Sequence, residues 1–412
     1  MSKTMGEVLV IGVNYPPEHT GIAPYTGDLA TGLAREFGGC EVITTNPHYP
    51  NWRVWQGYGG RKATSLIEGV QVTRLAHYVP KKPVGIRRLL SEVTFGLHTV
   101  ITKWPKVSTL ILVSPAMVSS WLVVVKARLF YPRTRVVIWV QDLYRAGLSE
   151  TGQGAGLGAA VIGALESDLL RRADKVVAIH QRMADRIARE CGVEGSNISV
   201  IRNWTHIDLS EDPSEVSRAD VRATLGWQQD HYVVLHTGNM GTKQGLVNVV
   251  EAAKLALEQD PNLLFVLMGD GHERRKLESL GLAVDTLRII DPVDEGIYLA
   301  TLQAADVLLV NELPELSEMA VPSKLTSYFA AGRSVLAATS IGGVTAQEVE
   351  ASGAGVHVPA GNPQALLEAV MAIKGEAEKA AALGAAGPAY VSSTLTKAVS
   401  YTHLTLPTTS RV

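Results

Sequence analysis

Two glycine-rich turns and one proline-led turn in the second half of this 412-residue chain carry residue types that hold phosphate. The first is Thr237-Gly238-Asn239-Met240-Gly241-Thr242-Lys243-Gln244-Gly245. Its glycines let the backbone pass close to a ligand, Lys243 adds a positive point charge, and a helix beginning near Gly245 would aim its positive end at the same place. The second, Met268-Gly269-Asp270-Gly271-His272, is placed to shape the floor of a nucleotide pocket through backbone contacts, or simply to cap the next helix through Asp270. The third runs from an acidic loop at Glu318 into Pro322-Ser323-Lys324-Leu325. Pro322 suits a first helical position, while Ser323 and Lys324 in the first turn offer amides, a hydroxyl and an ammonium to a diphosphate. A lysine there works against the helix dipole, and a bound anion would offset that. Capped helices carrying solvated lysines are the plain alternative for these turns. In the first half, Asn14 to Gly21 forms one more strand-to-helix turn, where Gly21 permits close approach of a ligand or merely turns the chain.

Other chemistries lack their residues. There is no DxD pair at a strand end, no cluster with metal-ligand spacing, no GxSxG, no GxGxxG and no P-loop. Metal-assisted, serine-hydrolase and NTPase readings lose support accordingly. Charge on a leaving diphosphate would fall to lysines and helix ends. Cys40 and Cys191 cannot build a disulfide framework and read as small buried apolar residues.

The elements that would position these turns alternate along nearly the whole chain. Strands are expected at Val8–Val13, Cys40–Thr44, Val70–Arg74, Thr109–Val113, Arg135–Val140, Lys175–Ile179 and Ile198–Ile201, with helices over Ala23–Phe37, Arg87–Lys103, Met117–Leu129, Leu157–Arg171 and Arg182–Cys191. After a polar, acidic linker at 206–217 the alternation restarts. Strands follow at Tyr232–His236, Leu263–Met268, Arg288–Ile290, Val307–Val310 and Ser334–Ala338. Helices follow at Gly245–Gln259, His272–Leu280, Gly296–Ala304, Ser323–Ala331 and from Pro363 to about residue 373. Such alternation predicts an α/β protein with parallel sheets covered on both faces, in two doubly wound, Rossmann-like domains, 1–205 and 218–400. Residues 401–412, threonine-rich around Pro407, fit neither period and read as a non-native or disordered tail.

The apolar run from Leu110 to Leu129 is broken by Ser114, Pro115, Lys126 and Arg128, which suits a strand, a turn and a helix better than a membrane span. The short apolar run at Val8–Val13, followed by prolines, reads as a strand and not as a signal peptide. Net charge is only -2, but it is unevenly spread: between positions 51 and 145, 15 basic residues face three acidic ones, Glu68, Glu92 and Asp142. A basic first half suggests an anionic neighbour. Lys81-Lys82-Pro83-Val84-Gly85-Ile86-Arg87-Arg88 leads into an amphipathic helix containing Val93, Phe95, Leu97, Val100 and Trp104, which is compatible with peripheral contact to an anionic membrane or with ordinary packing on the sheet. Without interleaved aromatic stacking positions it does not suit a nucleic-acid partner.

Taken together, these segments resemble the family 4 retaining glycosyltransferases of the GT-B fold, above all the branch of colanic-acid-type exopolysaccharide and O-antigen assembly. The matching pieces are Asn14 to Gly21, Trp139 to Tyr144, Arg202-Asn203-Trp204, Thr237 to Leu246, Gly269-Asp270-Gly271 and Pro322 through Gly332. The resemblance implies two Rossmann-like domains facing a central cleft, with the acceptor in the first and the nucleotide sugar in the second. Asn239, Lys243, Pro322, Ser323 and Lys324 would then meet the donor diphosphate, while Gly238, Gly269, Gly271 and Ser327 would line the nucleotide pocket. Gly21 would border the reacting centre, Asp142 would line its acceptor side, and Glu318 would sit near donor hydroxyls. The partners implied are a nucleotide-diphosphate sugar and a glycan or lipid-linked acceptor, with no metal and no other cofactor. In this family retention is ascribed to front-face departure and attack, with the leaving phosphate taking the acceptor proton. Departures from the pattern concern the donor: the family's E-x7-E glutamates fall on Met319 and Ser327, Glu318 lies one residue earlier, and Asn239 stands where many members carry arginine. Two other readings stand beside transfer: a GT-B sugar-nucleotide epimerase and a catalytically impaired nucleotide-sugar-binding scaffold. A cytoplasmic enzyme, peripheral at the inner face of the cell membrane, is the expected setting.

Overall fold

The computed structural model describes residues 8–19, 21–83, 85–145, 157–205, 217–316 and 321–396. Glu318, the expected linker apart from Ser217, and the 401–412 tail lie outside the described residues. The chain divides into two compact units, one reaching Asn203 and one spanning Trp204–Thr396.

Each unit is built on one sheet. A parallel sheet with helices on both faces leaves no strand face in water, so its strands must be apolar end to end. In the first unit β1 (Val8–Ile11), β2 (Cys40–Thr45), β3 (Lys62–Ile67), β4 (Val70–Leu75), β5 (Thr109–Val113), β6 (Arg135–Val140), β7 (Lys175–Ala178) and β8 (Ile198–Val200) lie in the order β3-β4-β2-β1-β5-β6-β7-β8. All of β1 and all but the first residue of β6 are buried. Helices α1 (Ala23–Phe37), α2 (Ile86–Ile101), α3 (Met117–Phe130), α4 (Leu157–Arg171) and α5 (Gln181–Cys191) connect them. The apolar stretch 110–129 thus becomes β5 and α3, and no helix among the described residues is long and apolar enough to cross a membrane. Both cysteines are buried and free.

Nothing in the periodicity announces β3, because five of its six residues are exposed. It pairs antiparallel with β4 across Glu68-Gly69, both at positive φ, 49° and 81°, as a tight two-residue hairpin requires.

The second unit holds α6 (Arg218–Thr224), β9 (Tyr232–Thr237), α7 (Val247–Gln259), β10 (Leu263–Met268), α8 (Arg274–Leu280), β11 (Leu287–Ile290), α9 (Glu295–Ala304), β12 (Val307–Asn311), α10 (Lys324–Ala330), β13 (Ser334–Thr339), α11 (Val344–Ser352), β14 (Gly355–Pro359), α12 (Pro363–Gly375) and α13 (Ala377–Thr394). Its sheet is parallel throughout, in the order β11-β10-β9-β12-β13-β14. Successive strand residues feed opposite cores: Val233 and Leu235 pack on one side, Val234 on the other. In α13, which contains Pro388, Gly384 and Gly387 lie where a Cβ would come within 2.6 Å of the Gly332 carbonyl oxygen and 2.4 Å of that of Phe329. Small residues there bring α13 onto α10.

Several helix starts shift by one or two residues from expectation, and two of the shifts fall on the phosphate-type turns. Gly245, at φ 56°, closes a 3-10 turn of Thr242–Gln244, so α7 begins after it. Pro322 and Ser323 precede α10, and the Ser323 side chain does not cap it.

In both sheets the chain starts centrally, winds outward, and returns to the other side of its first strand. Loops diverge at such a reversal and leave a crevice at the carboxyl ends of the strands. The reversals fall between β1 and β5, and between β9 and β12. At the second, Gly269 has φ +153°, and a Cβ on it would stand 1.9 Å from the Gly238 carbonyl oxygen. Gly269→Ala is therefore expected to cost roughly 2–3 kcal/mol of stability, seen as a lowered thermal midpoint; an unchanged midpoint would show that the two turns can separate.

Candidate active site

At the β9/β12 reversal the two glycine turns lie back to back. The Gly238 amide donates to the Met268 carbonyl at 2.8 Å, and the Met240 amide to that of Asp270 at 2.8 Å. A Cβ on Gly271 would meet the Met240 carbonyl oxygen at 2.5 Å and Asn239 Oδ1 at 2.8 Å. Gly238, Asn239, Gly269 and Gly271 are therefore in one place, as close as backbones allow. Asp270 bonds the Gly271 amide through Oδ1 at 2.8 Å and does not cap α8.

The ammonium that enters this place belongs to Lys324. Its Nζ lies 3.0 Å from His236 Nε2 and 3.7 Å from where a Cβ on Gly238 would stand. His236 Nδ1 is 3.1 Å from the Leu309 carbonyl oxygen, which can only accept. Nδ1 must then carry the proton, and Nε2 accepts from Lys324. His236 is fully buried within β9, and burial, reinforced by the Lys324 charge, holds it well below the usual histidine range.

Glu312 follows β12 and receives a hydrogen bond from Thr345 Oγ1 at 3.1 Å. Burial pushes its carboxyl up to about 7, opposed by the Thr345 bond and the Lys324 charge. Burial pushes Lys324 down to about 7, opposed by Glu312. The whole Lys324 residue is only half-buried, but its ammonium lies among packed neighbours, and the cost of desolvating the charge falls on that end. A cation in this position gains stability from any anion that joins it.

Asn311 stitches the remaining loop to β12, donating through Nδ2 to the carbonyls of Gln244 at 2.8 Å and Gly245 at 3.1 Å. Lys243 is exposed on this loop, its carbonyl accepting from the Leu313 amide at 3.0 Å. Ser323 is exposed, Pro322 and Ser327 half-buried, all beside Lys324 in sequence. Tyr328 and Tyr298 secure the helices: the Thr237 amide donates to the Tyr328 hydroxyl at 2.8 Å, and Thr237 Oγ1 lies 2.9 Å from that of Tyr298. A cavity of about 340 Å³ is lined by Gly241, Thr242 and Gly245 of the same loop with Glu251, Glu273 and Lys276, and both carboxylates are paired, Glu251 with Lys254 at 2.8 Å and Glu273 with Lys276 at 2.7 Å. His236, Glu312 and Thr345 belong to none of the sequence motifs, and Thr345, in α11, carries no local signal of its role. For the other two the available cue was a polar residue at the carboxyl end of an apolar strand.

At the first reversal, Gly21 (φ +66°) is exposed, and a Cβ there would lie 3.5 Å from Tyr49 Cε1. Its loop is anchored by Glu18, a buried carboxylate accepting from Asn14 Nδ2 at 2.8 Å and from the amides of His48 at 2.7 Å and Tyr49 at 2.8 Å. Rings gather nearby: His48 against His77 (centroids 4.7 Å apart) and Trp52 (5.4 Å), and His19 against Trp55 (6.0 Å). Asp142 is exposed just past β6, its carbonyl accepting from Ser114 Oγ at 3.0 Å and its Oδ1 from the Leu143 amide at 2.9 Å. With β5 between β1 and β6, Gly21 and Asp142 start from strands about 10 Å apart. Among the described residues no group of three or more His, Cys, Asp or Glu could hold a metal ion.

Residues 20–204 match the model of the glycosyl transferase 4-like domain, and 217–390 that of the glycosyl transferases group 1. An Escherichia coli protein, WcaI, assigned by name to colanic acid biosynthesis as a glycosyl transferase, is 30% identical over 338 residues, covering 79% of this chain and 81% of its own. Among solved structures, Anabaena HepE, crystallised with UDP, is similar with a TM-score of 0.68 at 16% identity, covering 97% of this chain and 98% of that one. The sucrose-phosphate synthase of Thermosynechococcus elongatus is similar with a TM-score of 0.71 at 19% identity, covering 97% of each.

An anion bound beside Lys324 favours the protonated amine, so it raises the lysine pKa from about 7 and takes up a proton at higher pH. Affinity for sulfate, an anion that does not itself titrate in this range, should be greatest below pH 7 and fall as pH rises from 7 to 9. Calorimetry in buffers of different ionisation heat should register the proton uptake. Constant affinity over that range would remove Lys324 from the anion site.

Proposed function

The chain belongs to the family 4, group 1 glycosyltransferases of GT-B fold, and from that membership we propose that it moves a hexose from a nucleoside-diphosphate sugar to a glycan or lipid-linked acceptor in surface polysaccharide assembly, with retention and without metal or other cofactor. The observation that carries this reading is the meeting of Lys324 with the Gly238 and Gly269 turns at the β9/β12 reversal. Backbone there is bare enough to approach a diphosphate, and a cation awaits one.

In the reaction, the bond between the anomeric carbon and the diphosphate oxygen breaks while the acceptor oxygen bonds to the same face of that carbon. The acceptor proton passes to the departing phosphate oxygen. Stabilising charge on the leaving group is then the main task of the protein. Lys324 takes it from one side, with Lys243 and Asn239 on the neighbouring loop and the Pro322-Ser323 turn ahead of α10. Gly238 offers exposed backbone to the nucleotide, Gly269 and Gly271 let the second turn close against that of Gly238 to floor its pocket, and Ser327 would reach the ribose with one hydroxyl where a carboxylate offers two acceptors. Glu318 is assigned to donor hydroxyls. In the first unit Gly21 keeps the approach open, and Asp142 faces the acceptor side. A UDP complex of HepE supports a nucleotide-sugar donor; WcaI supports a polysaccharide product. WcaI is named a glycosyl transferase, which favours transfer over epimerisation or scaffolding. A lipid-linked acceptor would bring the protein to the inner face of the membrane.

The full chain should release nucleotide from one member of a panel of UDP-, GDP- and dTDP-sugars only when acceptor is added. Binding without turnover would favour the scaffold, and interconversion of the free donor the epimerase. Removing a charged donor to phosphate costs about 1.5–3 kcal/mol, so Lys324→Ala and Lys243→Ala should each weaken donor binding about tenfold or more. Unchanged affinity in either variant would take that lysine out of the donor site.

A further inference from the structure

The expected amphipathic face of α2 is turned differently from what its sequence suggests. Phe95 and Trp104 are buried, 1% and 4% exposed. Ser91, Glu92, Phe95, Gly96 and Thr99 form the inward face. A Cβ on Gly96 would come within 2.9 Å of Ser119 Cα in α3. On the opposite side Ile86, Leu90, Leu97 and Ile101 are 72%, 47%, 51% and 72% exposed. At 3.6 residues per turn these four fall within a sector of about 60°, a straight apolar stripe along the whole helix.

We propose that this stripe is a docking surface for an anionic lipid bilayer, lying flat at the headgroup level with its leucines and isoleucines inserted. Three observations choose that occupant. Lys81, Lys82 and Arg87 are exposed at one end of the stripe, Lys103 and Lys106 beyond the other. The helix's one carboxylate, Glu92, is buried, accepting from the Val118 amide at 2.9 Å and from the Tyr144 hydroxyl, so it neutralises none of them. A second copy of the chain would set like charges around the stripe against each other, whereas anionic headgroups around an apolar interior satisfy both features. Four exposed aliphatic side chains in line also have little use in water. The inference leans on the lipid-linked acceptor for its purpose, but its test is separate.

The test is flotation of the full chain with phosphatidylcholine vesicles, with and without phosphatidylglycerol, comparing the parent with Leu90→Gln/Leu97→Gln and with Lys81→Glu/Lys82→Glu. Both changes are at exposed positions and should leave pyrophosphate binding intact. The parent should float only with phosphatidylglycerol, and each double variant should lose at least about tenfold in bound fraction. A parent that does not float, or variants that float equally well, would overturn the assignment. So would a dimer of the parent that Leu90→Gln/Leu97→Gln dissolves. Pyrophosphate affinity, read on the same proteins, reports on the transferase reading independently of any of these outcomes.

Discussion

The second unit depends on two turns that cross with no side chain between them. Gly269 stands against the carbonyl of Gly238, and Gly271 against that of Met240. Any Cβ would hold these backbones apart. Their contact brings the ends of β9 and β10 together and leaves exposed backbone where the chain reverses from β9 to β12. A ligand carrying phosphate needs that kind of surface, because bare backbone allows approach that side chains would block.

Around that crossing the protein holds charge at the edge of stability. Lys324 and Glu312 are both pushed by burial toward losing their charges, and each is partly sustained by the other. His236 cannot share the load as a cation, since its Nδ1 proton is committed to Leu309 and its Nε2 receives from Lys324. It orients the lysine as a neutral acceptor. A site that is costly to keep charged when empty is favourable to fill with an anion, and it is less suited to neutral ligands.

The first unit divides its labour differently. Glu18 spends its carboxylate on three local donors and thereby shapes the loop leading to Gly21, leaving rings such as Trp52 and Trp55 around it. Between positions 51 and 145 basic residues crowd this half of the chain, while only three carboxylates lie among them, and Glu92 is buried. The sign of the surface therefore follows from which charges the core absorbs as much as from composition.

Sequence alone determined the alternation of strands and helices, because continuous apolar runs such as Val8–Ile11 and Leu263–Met268 have few other uses in a chain of this size. It also exposed the glycine turns and the Pro322-Ser323-Lys324 start, since glycine, proline and lysine are chemically conspicuous. It could not show β3, whose residues face water, or α13, where a proline interrupts a small-residue helix. Nor could it rank the two lysines: Lys243 stands in the more phosphate-like motif but is exposed, whereas Lys324 is carried into the crossing by α10. His236 and Glu312 lie 76 residues apart and, with Lys324, acquire meaning only when β9 and β12 become neighbours. Local pattern reports which backbone a segment prefers; which charges share a low-dielectric pocket depends on strand order, and that is a property of the folded sheet.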